Sequence, residues 1–191
     1  MKASQKTVMV LFCILLPITL LLCSYQLVLH FKELTPAQEK VFLFLENKED
    51  LPLGFTDLER SHLEDVKKVM HYAKGLFFIL LVFLASIMAY YKKEQKLIFK
   101  MTDYGGKSTL LAMLAIGTAS LFFFNALFSL FHHIFFPQGN WTFAPESLLI
   151  QTFPLSFFIH LSRNIFLLTL GWAILFILWK YSQRYVYAYR S

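Results

Sequence analysis

STLLAMLAIGTASLFFFNALFSLFHHIFFPQGNW, residues 108–141, begins as an uninterrupted apolar run and ends on two histidines, a proline and a glycine. At ~1.5 Å rise per residue, ~20 residues cross the ~30 Å hydrocarbon core of a bilayer. The run to Leu130 is long enough to do so. His132 and His133 therefore arrive where the helix leaves the membrane, and Pro137 with Gly139 then breaks it. An imidazole is costly in lipid and ordinary in water. Two of them among Phe131, Phe135, Phe136 and Trp141 describe a wet pocket with apolar walls at the membrane surface.

Three further runs have the same character, so the spans are expected at about residues 8–29, 75–91, 108–130 and 161–179. The 191-residue chain is 57% hydrophobic with 22 Phe and a mean hydropathy of +0.55, above the ~45–50% apolar content of soluble domains. The expected fold is an all-α integral membrane protein in one domain. Four transmembrane helices carry a small extracellular cap of short amphipathic helices and loops, formed by segments of about 32–74 and 132–160.

The net charge of +6 does not call for nucleic acid, because the cations are sorted by side. Ten Lys/Arg lie at Lys2, Lys6, Lys92, Lys93, Lys96, Lys100, Lys107, Lys180, Arg184 and Arg190, faced only by Glu94 and Asp103. Residues 32–74 carry seven Lys/Arg and nine acids. The positive-inside rule places both termini in the cytoplasm and both longer connections outside. Cys13 and Cys23 share the first span, ~15 Å apart along a helix, too far for a disulfide, and read as small buried hydrophobes. That span is too long, and lacks the small-residue cleavage site, for a signal peptide.

Within the cap, Thr35-Pro36-Ala37-Gln38 and Thr56-Asp57-Leu58-Glu59 are capping boxes that start helices. In the second, His62, Val66, Val69 and Ala73 form one apolar stripe opposite Glu64, Lys67, Lys68 and Lys74. That pattern suits a helix lying on the membrane with His62 level with His132; the alternative is a helix running straight on into the second span. Residues 92–107 read as a cytoplasmic loop. Its Gly105-Gly106-Lys107-Ser108 ending lacks the first glycine of a phosphate-binding loop, where Met101 stands, and lacks a preceding strand. Ser108 then reads as the cap of the third span. Residues 146–152 form a short amphipathic piece ended by Phe153-Pro154, and residues 155–158 are expected to dip into the interface before the fourth span.

No Gly-x-Ser-x-Gly elbow, placed cysteine nucleophile or His-Glu-x-x-His helix is present, which disfavours covalent catalysis. Histidines without a nucleophile suit direct proton transfer. His30, His71 and His160, at span ends, read as interfacial polar groups. For His62 and His132 the pattern leaves three readings open: an acid/base pair, metal ligands together with His133, or interfacial polar groups on a membrane protein that only binds lipid or a partner. Adjacent helical residues point ~100° apart, so His132 and His133 are poor co-ligands of one ion. Asn125 and Arg163, inside or at the ends of spans, are expected to be paired.

The chain resembles the lipoprotein intramolecular transacylases (Lit) of Gram-positive bacteria. The resemblance is carried by Phe55-Thr56-x-x-Glu59-x-x-His62-Leu63-x-Asp65-Val66-Lys67 and Phe131-His132-x-x-Phe135-Phe136. It continues through Asn140-Trp141-x-Phe143-x-Pro145 and Leu149-Ile150-x-x-Phe153-Pro154-x-x-Phe157-Phe158. It implies a bacterial plasma-membrane enzyme with catalytic histidines at the cap–membrane interface, His62 and His132 by motif, needing neither metal nor other cofactor. The implied partners are diacylated lipoproteins and membrane lipid. The implied reaction moves the sn-2 acyl chain of diacylglyceryl-cysteine to the amino group of the same cysteine. Asp65 is expected to orient His62 or meet the substrate ammonium, and Asn140, Trp141, Arg163, Phe135 and Phe136 to line the pocket. A metal-dependent membrane hydrolase and a non-enzymatic lipid-binding bundle are the rival readings.

Overall fold

A computed structural model describes the backbone of residues 2–188 and side chains through residue 179. Of the basic tail, Lys180 and Arg184 are placed by backbone only, and Arg190 lies outside the described residues. The elements are α1 (Ala3–His30), α2 (Pro36–Leu45), α3 (Asp57–Tyr90), α4 (Gln95–Phe135), α5 (Leu148–Thr152) and α6 (Leu155–Ala188), and among the described residues there is no strand. Four of these, α1, α3, α4 and α6, are long and apolar enough to cross a membrane. The chain is an all-helical membrane protein, as its composition led us to expect.

The bundle closes around α1. Phe12, Leu16 and Leu20 of α1 pack with Leu84 of α3 and with Leu97, Ile98 and Met101 of α4. That contact corrects the reading of residues 92–107 as a loop: from Gln95 onward they are helical. Leu97, Ile98 and Met101 make a buried stripe there, and burial against a neighbour outweighs the weak helix propensity of two glycines. Gly105 and Gly106 are needed for closeness rather than for a turn. A Cβ on Gly105 would stand 2.6 Å from Leu16 Cδ2, and one on Gly106 2.8 Å from the Ala173 carbonyl of α6, the small-residue contact that lets membrane helices approach. Ser108 is accordingly not a cap. It sits inside α4, and its hydroxyl donates to the Cys13 carbonyl at 2.7 Å across the helix interface.

Both predicted capping boxes form. Thr35 Oγ1 accepts from Gln38 N and Thr56 Oγ1 from Glu59 N, and each partner's side chain returns to the cap residue's backbone N–H. The helix begun at Asp57 does not lie on a membrane surface. It continues through Gly75 to Tyr90 as one rod, which corrects the expected surface orientation. Nothing between Asp57 and Tyr90 stops a helix except one glycine, whose cost of ~1 kcal/mol relative to Ala is too small to end a 34-residue helix. Residues 155–158 likewise form no separate interfacial dip, since α6 runs unbroken from Leu155.

Above the bundle, Val41 and Leu45 of α2, Leu51, Leu63 of α3, Leu149 of α5 and Phe153 with Phe157 make a second core, the cap. Glu59 fastens it. This buried carboxylate accepts from the Leu149 N–H at 2.8 Å through Oε1 and from the Thr56 N–H and hydroxyl through Oε2. Burial works to raise its pKa, but the Leu149 and Thr56 donors outweigh it and hold the carboxyl below the usual range. His71 ties α3 to the segment after α2: its Nδ1–H donates to the Lys67 carbonyl, and Nε2 accepts from Asn47 Nδ2. Although α3 and α4 are consecutive, they scarcely touch; α3 packs on α1 and α2, and α4 on α1 and α6.

Candidate active site

The site forms where the tops of α3 and α4 are tied by the connection that follows α4. Phe136 ends α4, Pro137 prevents its continuation, and Gly139 at φ +77° supplies the left-handed backbone that turns the chain toward α3. Asn140 then lands on the first turns of α3. Its Nδ2 donates to Asp65 Oδ2 at 2.9 Å and to Ser61 Oγ at 3.2 Å. Gln138 Nε2 donates to the same Asp65 oxygen, and Lys68 Nζ to Asp65 Oδ1 at 3.0 Å. Burial alone would raise the Asp65 pKa, yet the donors from Asn140, Lys68 and Gln138 bring it down, so Asp65 is a carboxylate.

His62 is buried one turn before Asp65, its ring 4.7 Å from Phe136 and 5.4 Å from Phe143. A carboxylate only accepts, so the Asn140 group facing Asp65 is the NH₂ and the group left for His62 is the carbonyl oxygen. His62 Nδ1 and Asn140 Oδ1 are both buried and neither has a hydrogen-bond partner. The Asn140 side chain acts on the imidazole as an acceptor that favours its charged form. A proton on Nδ1 is the tautomer that could pair with Asn140 Oδ1, and it would leave the lone pair on Nε2. Burial, and secondly the charge on His132, push the His62 pKa down to about 4, against the smaller opposing pull of Asp65 and Asn140. His62 is neutral at physiological pH.

His132 sits in a different setting. It is half-buried, and its Nδ1–H donates to the Phe128 carbonyl at 2.8 Å, so Nε2 is again the nitrogen left for chemistry. Its ring lies 4.1 Å from Phe128, 4.8 Å from Trp141 and 5.7 Å from Phe136. Phe136 packs against both imidazoles, so His62 and His132 are no farther apart than those two ring contacts laid end to end. A molecule spanning Phe136 could reach both.

Asp65, Asn140, Trp141 and Phe136 thus gather at the pair. Phe135 does not: it is exposed and packs on Phe131 at 4.7 Å. Arg163 is exposed on α6 and makes no hydrogen bond or ion pair among the described residues, which corrects the expectation that it would be paired. Asn125 is exposed as well. His133 turns away, its Nδ1–H on the Ser129 carbonyl at 2.7 Å and its ring, among the described residues, against Trp141. Phe128, Ser61 and Gln138 belong to the site and were not singled out, and Phe143, quoted only within the family motif, belongs to it as well. Gln138 had a signal, a polar side chain within a Pro-x-Gly turn beside the histidines. Among the described residues no three His, Cys, Asp or Glu come together as metal ligands would.

The sequence profile described as lipoprotein intramolecular transacylase Lit matches residues 27–158, which include both histidines and the whole cap. The chain belongs to the Lit family. Its fold is that of the solved membrane-integral Lit structures of Bacillus cereus. One, carrying a histidine-to-arginine substitution, superposes with a TM-score of 0.79 over 98% of this chain and 95% of that one at 18% identity. Another gives 0.77 over 98% and 97% at 19% identity. An uncharacterized protein of Aquifex aeolicus (strain VF5) is 27% identical over 105 residues, 54% of this chain and 46% of that protein. The chain thus matches that curated relative over about half of the relative's length.

The His62 environment can be tested by titration. In isotopically labelled protein, His62 is expected to titrate near about 4, and Asp65→Asn to lower the midpoint further, because it removes a negative charge that favours the imidazolium. Nitrogen chemical shifts against pH check this. A wild-type midpoint at the unperturbed ~6.5 contradicts the buried, neutral ring.

Proposed function

We propose that the chain transfers the sn-2 acyl group of a lipoprotein's diacylglyceryl-cysteine to the α-amino group of that cysteine, with His62 and His132 moving the protons. The observation that carries this reading is the pair of unlike imidazoles that share Phe136 as a neighbour, one buried and the other half-buried. Membership in the Lit family supplies the reaction class. We further place both termini in the cytoplasm and the cap outside, from the distribution of Lys and Arg, where the substrate's lipidated cysteine also lies.

The substrate's α-amino group has pKa ~7.7–8.0, so a fraction is free amine at neutral pH. That amine adds to the sn-2 ester carbonyl. The N–C bond forms, and the nitrogen carries a proton made acidic by the neighbouring tetrahedral centre. His62 Nε2 holds the lone pair to take it, and the developing imidazolium is stabilised through Nδ1–H, Asn140 Oδ1 and the Asp65 carboxylate. His132, entering the step protonated on both nitrogens, gives its Nε2 proton to the glyceryl oxygen as the carbonyl re-forms and the C–O bond breaks, and the proton taken by His62 returns to His132 through water. Donor and acceptor belong to one molecule, so holding it folded over Phe136 supplies much of the rate. Aromatic walls from Phe136, Phe143 and Trp141 exclude the water that would hydrolyse the ester. The free protein's gap between His62 Nδ1 and Asn140 Oδ1 is expected to close when substrate excludes that water.

Mass spectrometry of lipoprotein N-termini from a host with and without this gene decides the function. The expected product is N-acylated, S-monoacylglyceryl cysteine, present only with the gene. Unchanged diacylglyceryl-cysteine in its presence removes the assignment.

A further inference from the structure

The helix face that carries His132 continues out of the site. Phe128 and Phe124 occupy the positions four and eight residues earlier on α4, so the three rings share one face. They are in serial contact, with centroids 4.1 Å apart between His132 and Phe128 and 6.1 Å between Phe128 and Phe124, the lower pair stacked. Trp141 closes the upper end, 6.3 Å from Phe128. By helical rise the ladder reaches ~12 Å below His132.

That face is left open by the fold. No α4 side chain between residues 114 and 135 is buried, and α3 hardly touches α4. At Phe123 the backbone leaves helical geometry (φ −131°, ψ 31°), so the segment bearing Phe124 and Phe128 is set at its own angle. Exposed phenylalanines on a membrane helix ordinarily face bulk lipid. Here an unbroken line of ring contacts joins them to a proposed proton donor.

We propose that the Phe124–Phe128–His132 face is a track for the acyl chain that is transferred, entered sideways from the outer leaflet through the gap between α3 and α4. This rests on the transacylase reading above. Hydrocarbon is as apolar as the ladder, so the track adds little affinity over bulk lipid. What it adds is alignment. A chain lying along the rings carries its ester carbonyl to the level of His132, where the amine arriving from the His62 side meets it.

The test places a benzophenone amino acid at Phe124 and, separately, at Leu167, an exposed position of α6. The full-length protein in phospholipid vesicles is illuminated with a biotinylated dipalmitoylglyceryl-cysteine lipopeptide. Labelling at position 124 is expected to exceed that at 167 by about fivefold or more and to be competed by unlabelled lipopeptide but not by added phospholipid. Equal labelling, or competition by phospholipid alone, means that bulk lipid occupies the face and overturns the track. As a second measurement, Phe124→Ala is expected to lower the ratio of palmitoyl to lauroyl transfer rates about threefold or more while leaving the His62 titration unmoved; an unchanged ratio overturns the track. Strong, lipopeptide-competed labelling at 124 with no N-acylated product from any lipopeptide keeps the face as an acyl-chain site but sinks the transacylase reading and with it the transfer role, whereas N-acylated product with equal labelling sinks the track alone.

Discussion

His62→Ala and His132→Ala are each expected to slow formation of N-acylated product by ~10²–10⁴-fold, the usual contribution of a positioned acid or base. His132→Ala removes only a half-buried ring, and His62→Ala removes a buried ring that packs on Phe143 beside the cap core, so the loss is read as kcat on protein whose thermal unfolding is measured alongside. His133→Ala should stay within a few-fold of wild type. Its ring meets Trp141 and not Phe136, and its Nδ1–H is spent on the Ser129 carbonyl. Single-turnover assays with a synthetic diacylglyceryl lipopeptide compare the three. Equal losses in His132→Ala and His133→Ala would show that the wrong neighbour was chosen. Wild-type rates in both His62→Ala and His132→Ala would remove the histidine mechanism altogether.

Glu59→Ala is expected to give the largest loss of stability of any single change in the cap. The side chain is 2% exposed, and its two oxygens satisfy the Leu149 N–H, the Thr56 N–H and the Thr56 hydroxyl. Truncation leaves the buried Leu149 donor unmatched, at ~1–3 kcal/mol, and removes a helix cap interaction worth ~0.5–2 kcal/mol. Since α5 is held to α3 here, the cap should loosen before the bundle does. Thermal unfolding in detergent should show a lowered Tm for Glu59→Ala and a smaller drop for Glu59→Gln, which keeps an oxygen to accept from Leu149. Limited proteolysis should cut first in residues 138–154. The carboxylate's lowered pKa gives the same sign with pH: its contribution is full above the unfolded carboxyl's range and is lost as pH falls through the folded value. An unchanged Tm in Glu59→Ala would mean that the carboxylate does not fasten the cap.

The spans and both capping boxes were legible because each depends on local pattern: a run of apolar residues as long as a bilayer is thick, or a Thr placed three residues before a Glu or Gln. Three readings failed for one shared reason. The Gly105-Gly106 pair looked like a loop, residues 57–74 like a surface helix and residues 155–158 like an interfacial dip, because flanking residues were read without their neighbours. Packing of α4 against Phe12, Leu16 and Ala173 turns the glycines into contact points, and nothing in α3 or α6 is strong enough to break a rod. Glu59 was visible as a cap but not as the clamp on Leu149, ninety residues away.

By itself the sequence determined that this is a four-span helical membrane protein, since hydrophobic length and helix caps are properties of short stretches. Only the tertiary structure decided that Asn140 and Gln138 converge on Asp65 and that Phe136 packs against both His62 and His132. Those facts depend on the Pro137–Gly139 turn folding the chain back onto α3. Such a meeting of residues more than seventy positions apart follows from packing and not from any local pattern.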